Sequence, residues 1–279
     1  MAALPPIPAA AWVLAALLGA IALGVYGLVV GHLARRGGKI QPEGFDLPEL
    51  LMTFVIGGFF LLNSVAAFLQ QSSAKEKITI DKVLPGSLVY VLIAAGILCF
   101  LHFVRRIHAN RILGIYQVGG LELLGWTAGL VLAAFPIVGG TNLLTQSIMK
   151  DSFVPQPLVT LFTQLARQDD QSAIKVIFFV GAVIAPCTEE FLFRGFFYRT
   201  WKRYLGPLGA GFIASALFAA LHGSVPALVG LFVLACCLNI AYERTGSLLV
   251  PIGMHACFNF VNLGILYIQA RFGALPVPL

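Results

Sequence analysis

The chain alternates between long apolar runs and short connectors rich in Gly, Pro, Ser and charge. The apolar runs fall at about 9–31, 48–70, 84–104, 122–148, 173–192, 209–223, 226–242 and 248–269. A helix needs about 20 apolar residues to cross the hydrocarbon core of a bilayer. The pattern therefore predicts an all-α, polytopic helical integral membrane protein with about 7–8 transmembrane helices. The count is open because 209–223 and 226–242 are short and separated only by "GSVP", so they can form one tight hairpin. The opening "MAALPPIPAAAW" lacks a basic n-region, and the apolar stretch is too long for a signal h-region, so the first run is expected to be a retained anchor.

Composition agrees with the pattern. Of 279 residues, 59% are hydrophobic and 11% charged, and the mean hydropathy is +0.90, where soluble domains run at about 25% charged. The net charge of +6 is spread through short loops, which calls for a lipid bilayer and no nucleic-acid partner. Arg35, Arg36, Lys39, Arg105, Arg106, Arg111, Arg199, Lys202, Arg203 and Arg244 share one side of the predicted topology. Lys75, Lys77, Lys82, Lys150, Arg167, Lys175 and Arg271 share the other. The bias favours both termini outside and the Glu189 end of its helix near the cytoplasmic face. All five cysteines lie in apolar runs without CxxC spacing, as small buried hydrophobes do. In the connector 149–172, Leu158, Phe162 and Leu165 recur at helical spacing. That suits a short amphipathic helix on the membrane surface, or else a plain loop.

Ionisable groups inside membrane spans are costly and mark candidate sites. Here they concentrate late. "PCTEEFLFRGFFYR" holds Glu189, Glu190 and Arg194, "ALFAALHG" holds Phe218 and His222, and "HACFN" holds His255 and Asn259. Glu190 and Arg194 stand four apart on one helix face, acid first, so they can pair. Glu189 is turned about 100° away and has only Leu192 and Phe193 along its own face. It needs a partner from another helix or from water. Small residues before His222, from Ala210 to Ala220, let that helix approach closely enough to bring His222 near Glu189. Pro186 is expected to kink the span. Asn63 and Asn239 have no ionisable partner in register along their helices, so structural roles are expected for them.

A carboxylate, two imidazoles and an amide suit hydrolysis of an amide bond: Glu189 as general base towards water, with His and Asn donating to an oxyanion. No metal is expected. If zinc were present, Glu189, His222 and His255 would supply a His₂Glu set with an open position, although no HExxH stretch occurs.

"EEFLFR", "FAALH" and "HACFN", in this order on consecutive helices, resemble the three motifs of the CAAX prenyl protease type II and bacteriocin-processing (ABI) family of intramembrane proteases. The resemblance covers about 122–270, most specifically 186–262. It implies an intramembrane endopeptidase, with residues 119–272 as the protease domain and 1–118 as N-terminal scaffold or accessory helices. It also implies a peptide or protein substrate in or at the membrane, of which a prenylated CAAX-type chain is one form. By position, Glu189 and His222 would activate water, His255 and Asn259 would stabilise the oxyanion, and Glu190, Arg194 and Phe218 would support them. The resemblance leaves glutamate-type and metal-dependent chemistry open. It implies a multi-pass protein of the plasma (inner) membrane, its site opening to the cytoplasm. Two other readings stand beside it: a non-catalytic membrane protein for bacteriocin immunity or peptide binding, and a transporter relaying protons through the same acids.

Overall fold

A computed structural model of the chain describes residues 9–73, 80–149 and 156–273. The connectors carrying Lys75, Lys77 and Lys150, and the first eight residues of the chain, lie outside the described residues. Every described element is helical: α1 (Ala9–Arg36), α2 (Leu47–Ser73), α3 (Ile80–Cys99, continued by a π-helical turn Phe100–Val104), α4 (Ala109–Leu113), α5 (Gly120–Met149), α6 (Pro157–Gln168), α7 (Gln171–Phe179), α8 (Ala185–Glu190), α9 (Arg199–Leu221), α10 (Leu228–Thr245) and α11 (Leu249–Phe272). Among the described residues, 7 helices are long and apolar enough to cross a membrane. The protein is thus an all-α, multi-pass membrane protein.

One of those seven, Gln171–Leu221, runs through α7, α8 and α9. Two π-helical stretches, Val180–Ile184 and Phe191–Tyr198, join its parts. It breaks at Gly206 (φ 67°, ψ 178°), backbone that only glycine adopts without strain. Pro207 then opens the second arm, as proline suits a first helical turn. The second arm folds back: Asn239 donates to Gly211 O and to Ser215 Oγ while accepting from Arg194. Counting seven or eight spans therefore depends on whether these arms are counted separately. The break also corrects the predicted span 173–192. The helix continues to Leu205, roughly 50 Å from Gln171, and residues 193–205 form helix rather than a loop. Arg199 is buried there: it donates to Tyr242 Oη at 2.6 Å and to the carbonyls of Arg111 and Ile112.

The Arg-rich end is a closed, ion-paired clasp. Glu243 accepts from Tyr198 Oη at 2.6 Å and from Lys202 Nζ at 2.5 Å. Glu49 is fully buried, accepting from Arg105 Nε and from the backbone N–H of Asp46. Asp46 in turn pairs with Arg105 and Arg203. These bonds tie the loops after α1 and α3 onto α9 and α10. The turn after α4 is locked to the α10–α11 turn by Leu248 N–H donating to Leu113 O.

At the opposite end, α6 is a helix and not a loop. Its stripe of Leu161, Phe162 and Ala166 is buried in a cluster with Ile174, Ile177 and Leu263. The apolar face seen in the sequence is thus turned onto α7 and α11.

Gly114 sits at φ +60°, and a Cβ there would come within 2.2 Å of the Gly246 carbonyl oxygen. Gly114→Ala is expected to destabilise the clasp by about 2 kcal/mol or more, read as a lower unfolding midpoint in detergent.

Candidate active site

The buried centre is built on Glu190. Its Oε1 accepts from Arg194 Nη1 at 2.9 Å, the pair expected from their spacing. The same oxygen lies 2.9 Å from His255 Nδ1. Glu190 is 0% and Arg194 1% exposed, so each charge depends on the other for compensation. Each nitrogen of the guanidinium donates a hydrogen bond. Nε donates to Asn239 Oδ1 at 3.2 Å, Nη2 donates to Ala235 O at 3.0 Å, and the group lies 4.8 Å over the Phe218 ring. Asn239 therefore does meet an ionisable group, on another helix where register along α10 could not show it. Phe218 is fully buried and packs against both imidazoles, 4.7 Å from His222 and 5.7 Å from His255 between ring centroids.

Glu189 is the contrasting carboxylate. It makes no hydrogen bond among the described residues, and its Oε2 is buried. It lines a cavity of about 330 Å³ together with His222, His255 and Asn259. His222 lies within 2.7 Å of Phe218 O through Nδ1. A carbonyl only accepts, so Nδ1 carries a proton, and in the neutral ring Nε2 keeps a lone pair. His255 was expected to meet Glu189. Its hydrogen bond goes to Glu190 instead, because α11 approaches the Arg194 side of α8. With Nδ1–H committed to a carboxylate, His255 Nε2 accepts when the ring is neutral and donates when it is protonated.

Asn259 owes its position to Pro186. In the π-helical turn, Ala185 N–H bonds to Val180 O. The next donor in that pattern would be residue 186 to Gly181 O, and proline has no N–H. The orphaned Gly181 carbonyl accepts from Asn259 Nδ2 at 2.8 Å. The kink expected at Pro186 thus takes the form of a widened turn that docks the last helix. One amide N–H of Asn259 remains.

The cavity extends from Glu189, His222 and His255 towards α6, past Asn142, Gln156, Ser224 and Asn262. On its other side, residues 191–200 are all buried. It thus runs away from the Arg-rich clasp. Asn142, Gln156, Ser224 and Asn262 were missed in the sequence. Asn262 was detectable, since it extends the His255–Asn259 stripe by one further helical step, while the others come from α5, from the start of α6 and from a turn.

For zinc, among the described residues no group of three or more His, Cys, Asp and Glu side chains stands close enough to hold a metal ion. The Glu189, His222 and His255 set does not form a preformed zinc site among the described residues.

The geometry acquires context from known proteins. Residues 171–261 match the family model for type II CAAX prenyl endopeptidase Rce1-like proteins. The resemblance carried by the three motifs is thereby shown for the segment that holds them. The chain is also similar to an Escherichia coli protein described as "Uncharacterized 24.3 kDa protein". The two are 28% identical over 191 residues, covering 64% of this chain and 81% of that protein. No solved structure matches the chain.

Arg194→Met leaves Glu190 buried without its cation and is expected to cost about 3–5 kcal/mol of stability. Adding Glu190→Gln is expected to recover part of that loss, because the stranded charge is gone. Thermal unfolding of the two variants in detergent reads both effects.

Proposed function

We propose, from the premise that residues 171–261 form an Rce1-like domain, that the protein is an intramembrane endopeptidase cleaving a peptide or protein substrate in or at the membrane. The family indicates a protease; the roles of individual residues are our reading. The observation that carries it is the division between two adjacent carboxylates. Oε1 of Glu190 is held by both Arg194 and His255, whereas Glu189 faces the cavity with no hydrogen bond among the described residues.

In this reading, water sits between the Glu189 carboxylate and His222 Nε2. Glu189 takes a proton, and the oxygen attacks the scissile carbonyl carbon. The remaining N–H of Asn259 and the Nε2–H of protonated His255 receive the developing oxyanion. The C–N bond breaks as the proton held by Glu189 passes to the leaving amine. Glu190, Arg194 and Phe218 hold the imidazoles in place. Residues 1–118 serve as the scaffold on which the domain of residues 119–272 is clamped. A purely binding role, as in bacteriocin immunity, gives no reason to bury an unpaired carboxylate.

Glu189→Gln, His222→Ala and His255→Ala are each expected to lower turnover of a fluorogenic peptide library by about 10²–10⁴-fold, with activity in the parent surviving exhaustive chelation. Full turnover in all three variants would sink the reading.

The proposed setting is the plasma (inner) membrane with a cytoplasmic mouth. Arg199 and Lys202 lie within the protein in hydrogen bonds and an ion pair, so the loop bias towards an Arg-rich cytoplasmic end all but vanishes. A Cys replacing Gln156 at the mouth is expected to resist an impermeant thiol reagent in intact cells and to react in inverted vesicles. The reverse pattern places the mouth outside.

A further inference from the structure

The imidazole of His222 hangs on the end of a helix. His222 is the C-cap residue of α9, and a helix leaves its last four carbonyls without helical donors. Three of the four are answered locally. Phe218 O accepts from the His222 ring, and Ala219 O accepts from the His222 N–H. Ala220 O accepts from the N–H of Gly223, whose φ of +60° is the left-handed turn that closes helices. The fourth, Leu221 O, accepts no backbone N–H among the described residues. Its donor comes from α2: Ser64 Oγ donates to Leu221 O at 3.2 Å and to Ala220 O at 3.3 Å.

A hydroxyl on a helix commonly bonds back to a carbonyl three or four residues earlier. Thr53, Ser87, Thr145, Thr188 and Thr200 all do so in this protein. Ser64 instead crosses to α9. It is half-buried, whereas Leu61, Leu62, Asn63 and Val65 around it are exposed. The face of α2 that carries it recurs at spacings of four and three, and that face is held along its length. Thr53 accepts from Trp201 Nε1 at 2.9 Å, a Cβ on Gly57 would lie 3.5 Å from the Leu217 side chain, and Phe60 stacks on Tyr90 at 4.4 Å between ring centroids. The rotation of α2 is thereby fixed, and Ser64 is presented to the last turn of α9 by a rigid support.

We propose that Ser64 is a positioning residue for His222. Its hydroxyl holds the final carbonyls of α9, so the imidazole stays where its Nε2 shares a water with Glu189. Ser64 lies outside the segment 171–261 that matches the family model, so the N-terminal helices complete the site as well as support it. The inference rests on the endopeptidase reading, and it deepens that reading by naming a part of the site supplied from beyond the matched segment.

The test uses the full-length protein in detergent with nitrogen-15 in its histidines, the His222 ring signals being those that vanish in His222→Gln. Ser64→Ala is expected to shift the His222 ring signals and to leave those of His255, which is bonded to Glu190, in place. On the best-cleaved peptide of the library, kcat is expected to fall about ten- to hundredfold at unchanged KM. Ser64→Thr keeps the hydroxyl and is expected to restore most of that loss. Unmoved His222 signals, equal movement at His255, an unchanged kcat, a loss confined to KM, or an equal fall in Ser64→Thr overturns the proposal. If the signals move as expected but the parent cleaves no peptide, the endopeptidase reading fails and the positioning of His222 by Ser64 stands.

Discussion

The buried contact between Glu190, Arg194 and His255 is the constraint on which the site depends. Two helices meet there. α8 supplies the acid, the π-helical stretch after it supplies the base, and α11 supplies the imidazole. α10 closes the layer through Asn239 and the Ala235 carbonyl, and the second arm of α9 places Phe218 over the guanidinium. Removing charges from water is expensive, and the expense falls only where every donor and acceptor is satisfied. A nearly complete set of partners therefore specifies one arrangement of these helices.

That arrangement sets Glu189 apart. Its neighbour absorbs the cation and one imidazole, so Glu189 faces the cavity while His222 brings a ring nitrogen with a free lone pair. The two carboxylates are adjacent in sequence and opposite in role. Helical rotation makes the difference, and tertiary contacts enforce it.

Backbone irregularities position the remaining parts. Pro186 withholds a donor, the helix widens by a turn of π-helix, and the orphaned Gly181 carbonyl anchors Asn259. Gly206 reverses the chain so that the His222 arm returns beside the helix bearing Glu189 and Glu190. Each is a departure from regular helix written into a single residue, and each brings a side chain to the cavity. At the far end, Glu243 and Glu49 clamp the loops of the first helices onto α9 and α10, so the N-terminal helices are packed into the same body as the site.

The sequence by itself determined the membrane-spanning helical class, because span length and apolar composition follow directly from bilayer thickness. It also determined the Glu190–Arg194 pair and the isolation of Glu189, since both depend on spacing along one helix. The polar stripe of α11 was half legible: His255 and Asn259 stood out, and Asn262 continued it. Only the tertiary structure decided that His255 bonds Glu190 rather than Glu189, that Asn239 meets Arg194, and that the cavity runs towards α6. It also showed that α6 buries its apolar stripe on α7 and α11 and that residues 193–205 form helix, buried as far as Trp201. Those outcomes rest on how separate helices are rotated and set against one another. Periodicity reports the face a residue occupies on its own helix, and it carries no information about which neighbour that face will meet.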